Sequence, residues 1–284
     1  MSIVFLKTPL PLEQRTLLRV MDRIARSLDL RYFVVGATAR DILMYHLHGF
    51  PVNRASPDID FAMAIKSWEA FNVVKESLLN ERGFRPDPKI IHRLHYSPPT
   101  GDGFPVDLVP FGGVEVSSTT VAWPPDMKVV MNVAGYAEAL ASAVSVGIEE
   151  QLVIPVASLP GLAITKLIAW LDRGHLHAKD AVDLLYLLEN YADAGNADRL
   201  YGEELFLLAA CDYAFERAGP RLLGRDMTAI MSAQCRSQIA AILTTPAVRD
   251  RLIVNMLQGA FQQDNAYSRL DDYLAEFETG LAPA

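Results

Sequence analysis

Ser56-Pro-Asp-Ile-Asp-Phe-Ala-Met-Ala-Ile65 is the stretch on which the reading of the chain turns. Its apolar run predicts a β-strand carrying two carboxylates, Asp58 and Asp60. Successive side chains of a strand point to opposite faces, so residues two apart share one. Asp58 and Asp60 therefore project to the same side, about 7 Å apart along the chain. Two acids so placed repel unless something positive sits between them. A divalent metal is one answer, because Mg²⁺ takes oxygen ligands and often uses one or two carboxylates with substrate phosphates. A solvated polar face on an edge strand is the other.

The 284 residues suffice for one large or two ordinary domains, and 51% of them are apolar, enough for a sizeable core. No apolar run reaches the roughly 18 residues of a membrane span, and no basic segment followed by an apolar one marks a secretory signal. Cys211 and Cys235 have no metal-ligand spacing around them, and two buried thiols in a reducing cytosol are expected rather than a disulfide. A cytoplasmic protein without membrane partners is the expectation. The net charge of −8 argues against a generic nucleic-acid-coating surface. The charge is uneven: residues 1–110 carry +2 and residues 111–284 carry −10. A polyanionic substrate should prefer the first part.

Apolar positions at Leu17, Leu18, Met21, Ile24, Ala25 and Leu28 have helical spacing and predict a helix over 11–28. Tyr32-Phe-Val-Val35 reads as a short buried strand. It stops at Gly36-Ala-Thr-Ala-Arg-Asp41, and an amphipathic segment follows over 42–47. A strand, a turn of small residues and a helix start can aim backbone N–H groups at an anion, or be an ordinary tight connection. Further expectations are a helix over 67–82 capped by Ser67, strands over 89–96 and 104–111, short strands at 129–133 and 151–154, and a helical segment over 136–144. After Leu159-Pro-Gly161 everything reads helical: 162–171, 178–191, then roughly 200–217, 226–243, 247–262 and 267–278, with a frayed tail of six residues. Trp68, Trp123 and Trp170 are expected in the core.

The strand over 104–111 holds one internal acid, Asp107, among apolar neighbours. Burying a lone carboxylate is costly unless it is paired or bound to metal; a surface-facing position or a hydrogen bond to a loop would also answer. Taken together, Asp58, Asp60, Asp107 and the Gly36-Ala-Thr38 turn form a set suited to displacement at phosphorus. Two metals held by three carboxylates can clamp an in-line transfer, one activating a hydroxyl and one neutralising the triphosphate.

These residues resemble the nucleotidyltransferases of the DNA-polymerase-β-like superfamily. More closely, they are similar to the AbiEii/AbiGii group, which includes toxins of bacterial toxin–antitoxin and phage-defence systems. The matching pieces are Gly36-Ala-Thr38, Asp58-Ile-Asp-Phe61, Val106-Asp-Leu-Val-Pro-Phe-Gly112 and, in the helical half, Lys166, Arg173 and Lys179-Asp-Ala-Val-Asp-Leu184. The resemblance implies that Asp58, Asp60 and Asp107 are catalytic and hold two Mg²⁺ or Mn²⁺ ions. It implies nucleotide binding by Gly36, Ala37, Thr38, Lys166, Lys179 and Asp180. Gly36-Ala-Thr-Ala-Arg-Asp41 also resembles the corresponding turn of tRNA CCA-adding and poly(A) polymerases, which adds Arg40 as a phosphate contact or as a tie to Asp41. Three departures stand out: Ala37 replaces a second Gly or Ser, the gap from Gly36 to Asp58 is long, and Gly174-His-Leu-His-Ala178 separates Arg173 from Lys179. Read without the resemblance, Lys179, Asp180 and Asp183 are charges on an exposed helix face, Lys179 pairing with Asp183.

The expected fold is α/β (α+β): a mixed-sheet nucleotidyltransferase domain over 1–156, then an α-helical domain over 157–284 that completes the nucleotide cleft. The expected reaction moves a nucleoside monophosphate from an NTP to an acceptor hydroxyl with release of pyrophosphate. The acceptor would be RNA, such as a tRNA 3′ end, or protein, and an antitoxin is an expected partner. The alternatives are a small-molecule, antibiotic-type nucleotidyltransferase and a non-catalytic NTP-binding or partner-binding module.

Overall fold

Tyr32-Phe-Val-Val35 is buried along its whole length, as a β-rich run with no polar residue should be. It lies inside an eight-stranded mixed sheet in the computed structural model, which describes residues 2–52, 58–260 and 264–282. The chain divides into two compact units, Met1–Ser158 and Leu159–Ala284. Among the described residues, no helix is long and apolar enough to cross a membrane.

Unit 1 contains strands β1 (Ile3–Phe5), β2 (Tyr32–Val35), β3 (Ile59–Ala64), β4 (Phe84–Pro86), β5 (Arg93–Tyr96), β6 (Phe104–Phe111), β7 (Glu115–Ser117), β8 (Thr120–Ala122), β9 (Val130–Asn132), β10 (Val144–Glu149) and β11 (Leu152–Val156). The large sheet runs β1-β10-β11-β2-β3-β6-β5-β4, and β7-β8-β9 form a small antiparallel sheet. Its helices are α1 (Leu12–Ser27), α2 (Gly36–Asp41), α3 (Trp68–Leu79) and α4 (Tyr136–Ala141). A π-helical stretch, Ile42–His48, continues α2. Helix α1 buries Leu17, Leu18, Met21, Ile24 and Ala25 of the stripe that its spacing predicts; Leu28, expected with them, follows the helix end and is exposed. Helix α3 starts where Ser67 accepts a hydrogen bond from the Ala70 N–H.

Three expectations are corrected here. The segment expected as helical over 136–144 ends at Ala141, because Val144, Val146 and Ile148 alternate with polar or small residues and pair as β10 with β1 and β11. The strand expected over 89–96 begins only at Arg93; Asp87 accepts from the N–H groups of Lys89 and Ile90 and holds a turn there. Strand β3 begins at Ile59; Ser56 and Pro57, the expected start, lie outside the described residues.

Unit 2 is helical: α5 (Leu159–Arg173), α6 (Lys179–Asn190), α7 (Ala197–Tyr201), α8 (Leu205–Ala210), α9 (Phe215–Ile230), α10 (Ala233–Thr244), α11 (Pro246–Met256) and α12 (Ala266–Leu281). The helices expected over 200–217 and 226–243 are each broken. Gly202 ends α7, and Ser232 caps α10 by accepting from the Cys235 N–H. The expected frayed tail is helical through Leu281: Gly280 packs so tightly on α9 that a Cβ there would overlap the Arg221 carbonyl. Cys211 and Cys235 are buried free thiols, and Trp123 and Trp170 are core residues, as expected.

Candidate active site

Strand β3 lies between β2 and β6, antiparallel to the first and parallel to the second. It is an interior strand, which removes the polar-edge explanation of its acids. The register sets Val35, Asp60 and Asp107 at one level across the three strands. Cross-strand partners share a face of the sheet, so the two carboxylates emerge side by side. Asp58 precedes β3, and its carboxylate joins them: one oxygen from each of Asp58, Asp60 and Asp107 lies within 4.8 Å of the others. At an effective dielectric of about 20, two unit charges at that separation repel by roughly 3 kcal/mol. Holding three acids together therefore calls for nearby positive charge.

Gly36 lets the phosphate-turn candidate approach this cluster. Its φ is +69°, in the left-handed region, and a Cβ there would fall inside Asp60 Oδ2 and 2.9 Å from Asp60 Cγ. Only a residue without a side chain fits. Thr38 then ties the turn to the acidic segment by donating its hydroxyl to the Asp58 carbonyl at 3.0 Å. Ala37 and Thr38 are buried. Arg40 is 1% exposed, and its Nε and Nη2 donate to Asp41 at 2.9 and 2.7 Å. Of the two readings of Arg40, the structure contains the tie to Asp41.

Arg93 is the site residue that sequence reading missed. It sits opposite Asp107 in the β5–β6 register. Its Nε and Nη2 donate to Asp107 Oδ1 and Oδ2, each at 2.6 Å, a fork-on-carboxylate pair. Asp107 is buried; neither a surface position nor a loop hydrogen bond accounts for it. The bonds to Asp107, opposed in part by burial and helped by the charges of Asp58 and Asp60, hold the guanidinium above its ordinary pKa.

Unit 2 has its own buried ionic cluster. Lys166 Nζ donates to Asp180 Oδ1 at 3.0 Å and to Asp183 Oδ2 at 2.6 Å. Arg173 Nε reaches Asp180 Oδ2 at 2.7 Å, so the inserted Gly174-His-Leu-His-Ala178 does not keep it from the motif. Asp180 and Asp183 are 1% and 0% exposed. The exposed-face account of these acids is corrected: Asp183 turns inward to Lys166 rather than outward to Lys179. Burial pushes the Asp180 carboxyl up, but Lys166 and Arg173 together outweigh it and leave the group well below the usual range.

Three converging carboxylates without nitrogen or sulfur donors are a hard oxygen set, the kind that Mg²⁺ or Mn²⁺ takes. The residues present fit such an ion. A glycine that admits no Cβ thus stands beside a carboxylate triad on the central strands of a mixed sheet.

The comparisons with known proteins name the group. The family described as "Nucleotidyl transferase AbiEii toxin, Type IV TA system" matches residues 19–275, and the chain belongs to it. It is thus a nucleotidyl-transfer enzyme by family. No curated protein matches the sequence. Similar solved structures include an antigenic nucleotidyltransferase-like protein from Paracoccidioides brasiliensis (16% identity, 72% of this chain and 93% of that one, TM-score 0.42). The antibiotic-resistance factor ANT(2'')-Ia is 17% identical over 70% of this chain and 95% of its own, with a TM-score of 0.35. A CCA-adding enzyme in complex with ATP is 14% identical over 93% of this chain and 67% of its own, with a TM-score of 0.25.

Proposed function

We propose that the protein transfers a nucleoside monophosphate from an NTP to an acceptor hydroxyl, using Asp58, Asp60 and Asp107 to hold divalent cations, Mg²⁺ or Mn²⁺. The observation that carries the reading is the convergence of three carboxylates beside Gly36, where the start of α2 admits no side chain. When bound, the ions lower the pKa of the attacking hydroxyl and neutralise the triphosphate. Asp107 orients the acceptor hydroxyl and draws off its proton. Backbone N–H groups of Gly36, Ala37 and Thr38 take the β- and γ-phosphate oxygens. A bond forms from the acceptor oxygen to the α-phosphorus, the bond from the α-phosphorus to its bridging oxygen breaks, and the electron pair leaves with pyrophosphate.

RNA with a free 3′ end, a tRNA above all, or a protein hydroxyl is the proposed acceptor. The proposed setting is the cytoplasm; the family description supports the further proposal that the chain acts as a toxin restrained by an antitoxin. Lys166, Lys179 and Asp180 remain proposed nucleotide contacts by family likeness. A nucleotide role for Lys166 has to compete with its two carboxylate partners.

The test combines purified protein, Mg²⁺, each α-labelled NTP and three acceptor pools: total tRNA, protein and aminoglycosides. Label on tRNA or protein that disappears in Asp58→Ala/Asp60→Ala supports the reading and names base and acceptor. Label only on the small molecules would replace the acceptor class. NTP binding without transfer to any pool would leave a binding module.

A further inference from the structure

Arg93 is more than one half of a structural ion pair, because both oxygens it binds belong to the carboxylate triad. We propose that Arg93 is an internal counter-ion that competes with a divalent cation for Asp107. The inference rests on reading Asp58, Asp60 and Asp107 as the ion-holding set, and deepens it.

The pair is built in by the fold. Arg93 and Asp107 are cross-strand partners, so the sheet register aims the fork at the acid. The backbone on either side is fixed: the Arg93 N–H donates to the Ile90 carbonyl, and the His92 carbonyl accepts from the Leu108 N–H. The Ile91 carbonyl accepts from Lys75 Nζ at 2.6 Å, and the His92 ring stacks on Trp123 with centroids 4.8 Å apart. Among the described residues, the side-chain hydrogen bonds of Arg93 all go to Asp107. Asp58 and Asp60 add their negative charge beside the guanidinium, so Arg93 is held within the cluster.

Charge gives the pair its consequence. Three carboxylates carry −3, and with Arg93 in place the cluster carries −2. A carboxylate oxygen has lone pairs to spare after one hydrogen bond, so Asp107 can still accept a cation. That cation would arrive beside a fixed positive charge, and two like charges so close are costly at any protein dielectric. Without nucleotide, Arg93 therefore lowers the affinity of the triad for a divalent ion. The triphosphate, with its own negative charge and oxygen ligands, restores the balance, so ion loading is tied to nucleotide binding. Arg93 acts through Asp107 and is a positioning residue.

Direct Mn²⁺ binding, read by electron paramagnetic resonance without nucleotide, is the experiment. The proteins are wild type, Arg93→Gln, Arg93→Lys and Asp58→Asn/Asp60→Asn, all at pH 8. Arg93→Gln should bind Mn²⁺ at least about tenfold more tightly than wild type, because a repelling charge is gone. Arg93→Lys keeps the charge without the fork and should stay within about threefold of wild type. A purely structural arginine would leave affinity unchanged or weaken it on removal, and either result in Arg93→Gln would overturn the inference. Loss of Mn²⁺ binding in the double Asn variant shows that the triad holds the ion, whatever Arg93 does. Binding that survives in it, or no binding by any of the proteins, would bring down the ion-site reading and the inference with it. Should Arg93→Gln not fold, a Mg²⁺ titration of wild type followed through the Arg93 Nε–Hε NMR signal decides instead. That signal should shift as the ion draws on Asp107, and a signal that stays fixed at saturating Mg²⁺ overturns the proposal.

Discussion

Gly36→Ala should damage stability and activity through one collision, and the two effects can be separated. Position 36 has φ +69°, which an L-residue with a Cβ occupies at a cost of about 1–2 kcal/mol. The new Cβ also meets Asp60 Oδ2 and stands 2.9 Å from Asp60 Cγ, so the carboxylate must turn away. Forcing an extra carbon into a packed position adds typically about 1–3 kcal/mol. Together these give a loss of roughly 2–5 kcal/mol. Asp60→Ala removes both colliding atoms, so in its background only the backbone part should remain. Trp68 and Trp123 lie in unit 1 and Trp170 in unit 2, so urea unfolding by fluorescence in a Trp170→Phe background reads unit 1. A double-mutant cycle should show a coupling of about 1–3 kcal/mol, with the double variant more stable than the sum of the singles predicts. Transfer activity of Gly36→Ala should fall about 100-fold, since displacing a reacting-site group by about 1 Å has that effect. Additivity within about 0.5 kcal/mol, or an active Gly36→Ala, would refute the claim that Gly36 exists to admit Asp60.

Other consequences are more quickly stated. Lys166→Met leaves Asp180 and Asp183 buried with one charge fewer, and should destabilise unit 2 by about 3–5 kcal/mol in thermal or urea unfolding; a change below about 1 kcal/mol would show that the network is not structural. The Asp180 carboxyl is depressed in the fold, so its stabilisation is present above its unfolded pKa of about 3.9 and is lost as pH falls below that value. Wild type should therefore lose thermal stability from pH 6 to pH 3 more steeply than Asp180→Asn; equal slopes would count against the assignment. Asp107→Asn keeps the shape but removes a ligand charge, and should lower transfer by at least about 100-fold while leaving the fold intact by circular dichroism.

The parts of the fold with strong local periodicity were legible in the sequence. The stripe of α1, the apolar runs of β2 and β6 and the Ser67 cap all stand where spacing and residue type put them. Four strands of three residues were not: β1, β4, β7 and β8 are too short to show a period; β1 and β4 form on the longer β10 and β5, whereas β7 and β8 form a small sheet with β9. Val144 could be read with the helix before it because one apolar residue serves either period. Within the site, the acids were visible because carboxylates are rare in apolar strands. Arg93 was hidden because its partner is set by strand register, and no local pattern says that residue 93 faces residue 107. The inward turn of Asp183 was hidden for a related reason: helical spacing pairs it with Lys179, and only the packing of α5 against α6 brings it to Lys166.

In the proposed reaction the acceptor hydroxyl, held at Asp58, Asp60 and Asp107, attacks the α-phosphorus. One reaction, run with an NTP labelled at both the α- and γ-phosphates and with the acceptor identified in the pooled assay, tests it directly. Attack at the α-phosphorus should leave α-label on the acceptor and γ-label in pyrophosphate, with neither product from Asp58→Ala/Asp60→Ala. A γ-label on the acceptor, or α-label transfer that survives the double substitution, would contradict it.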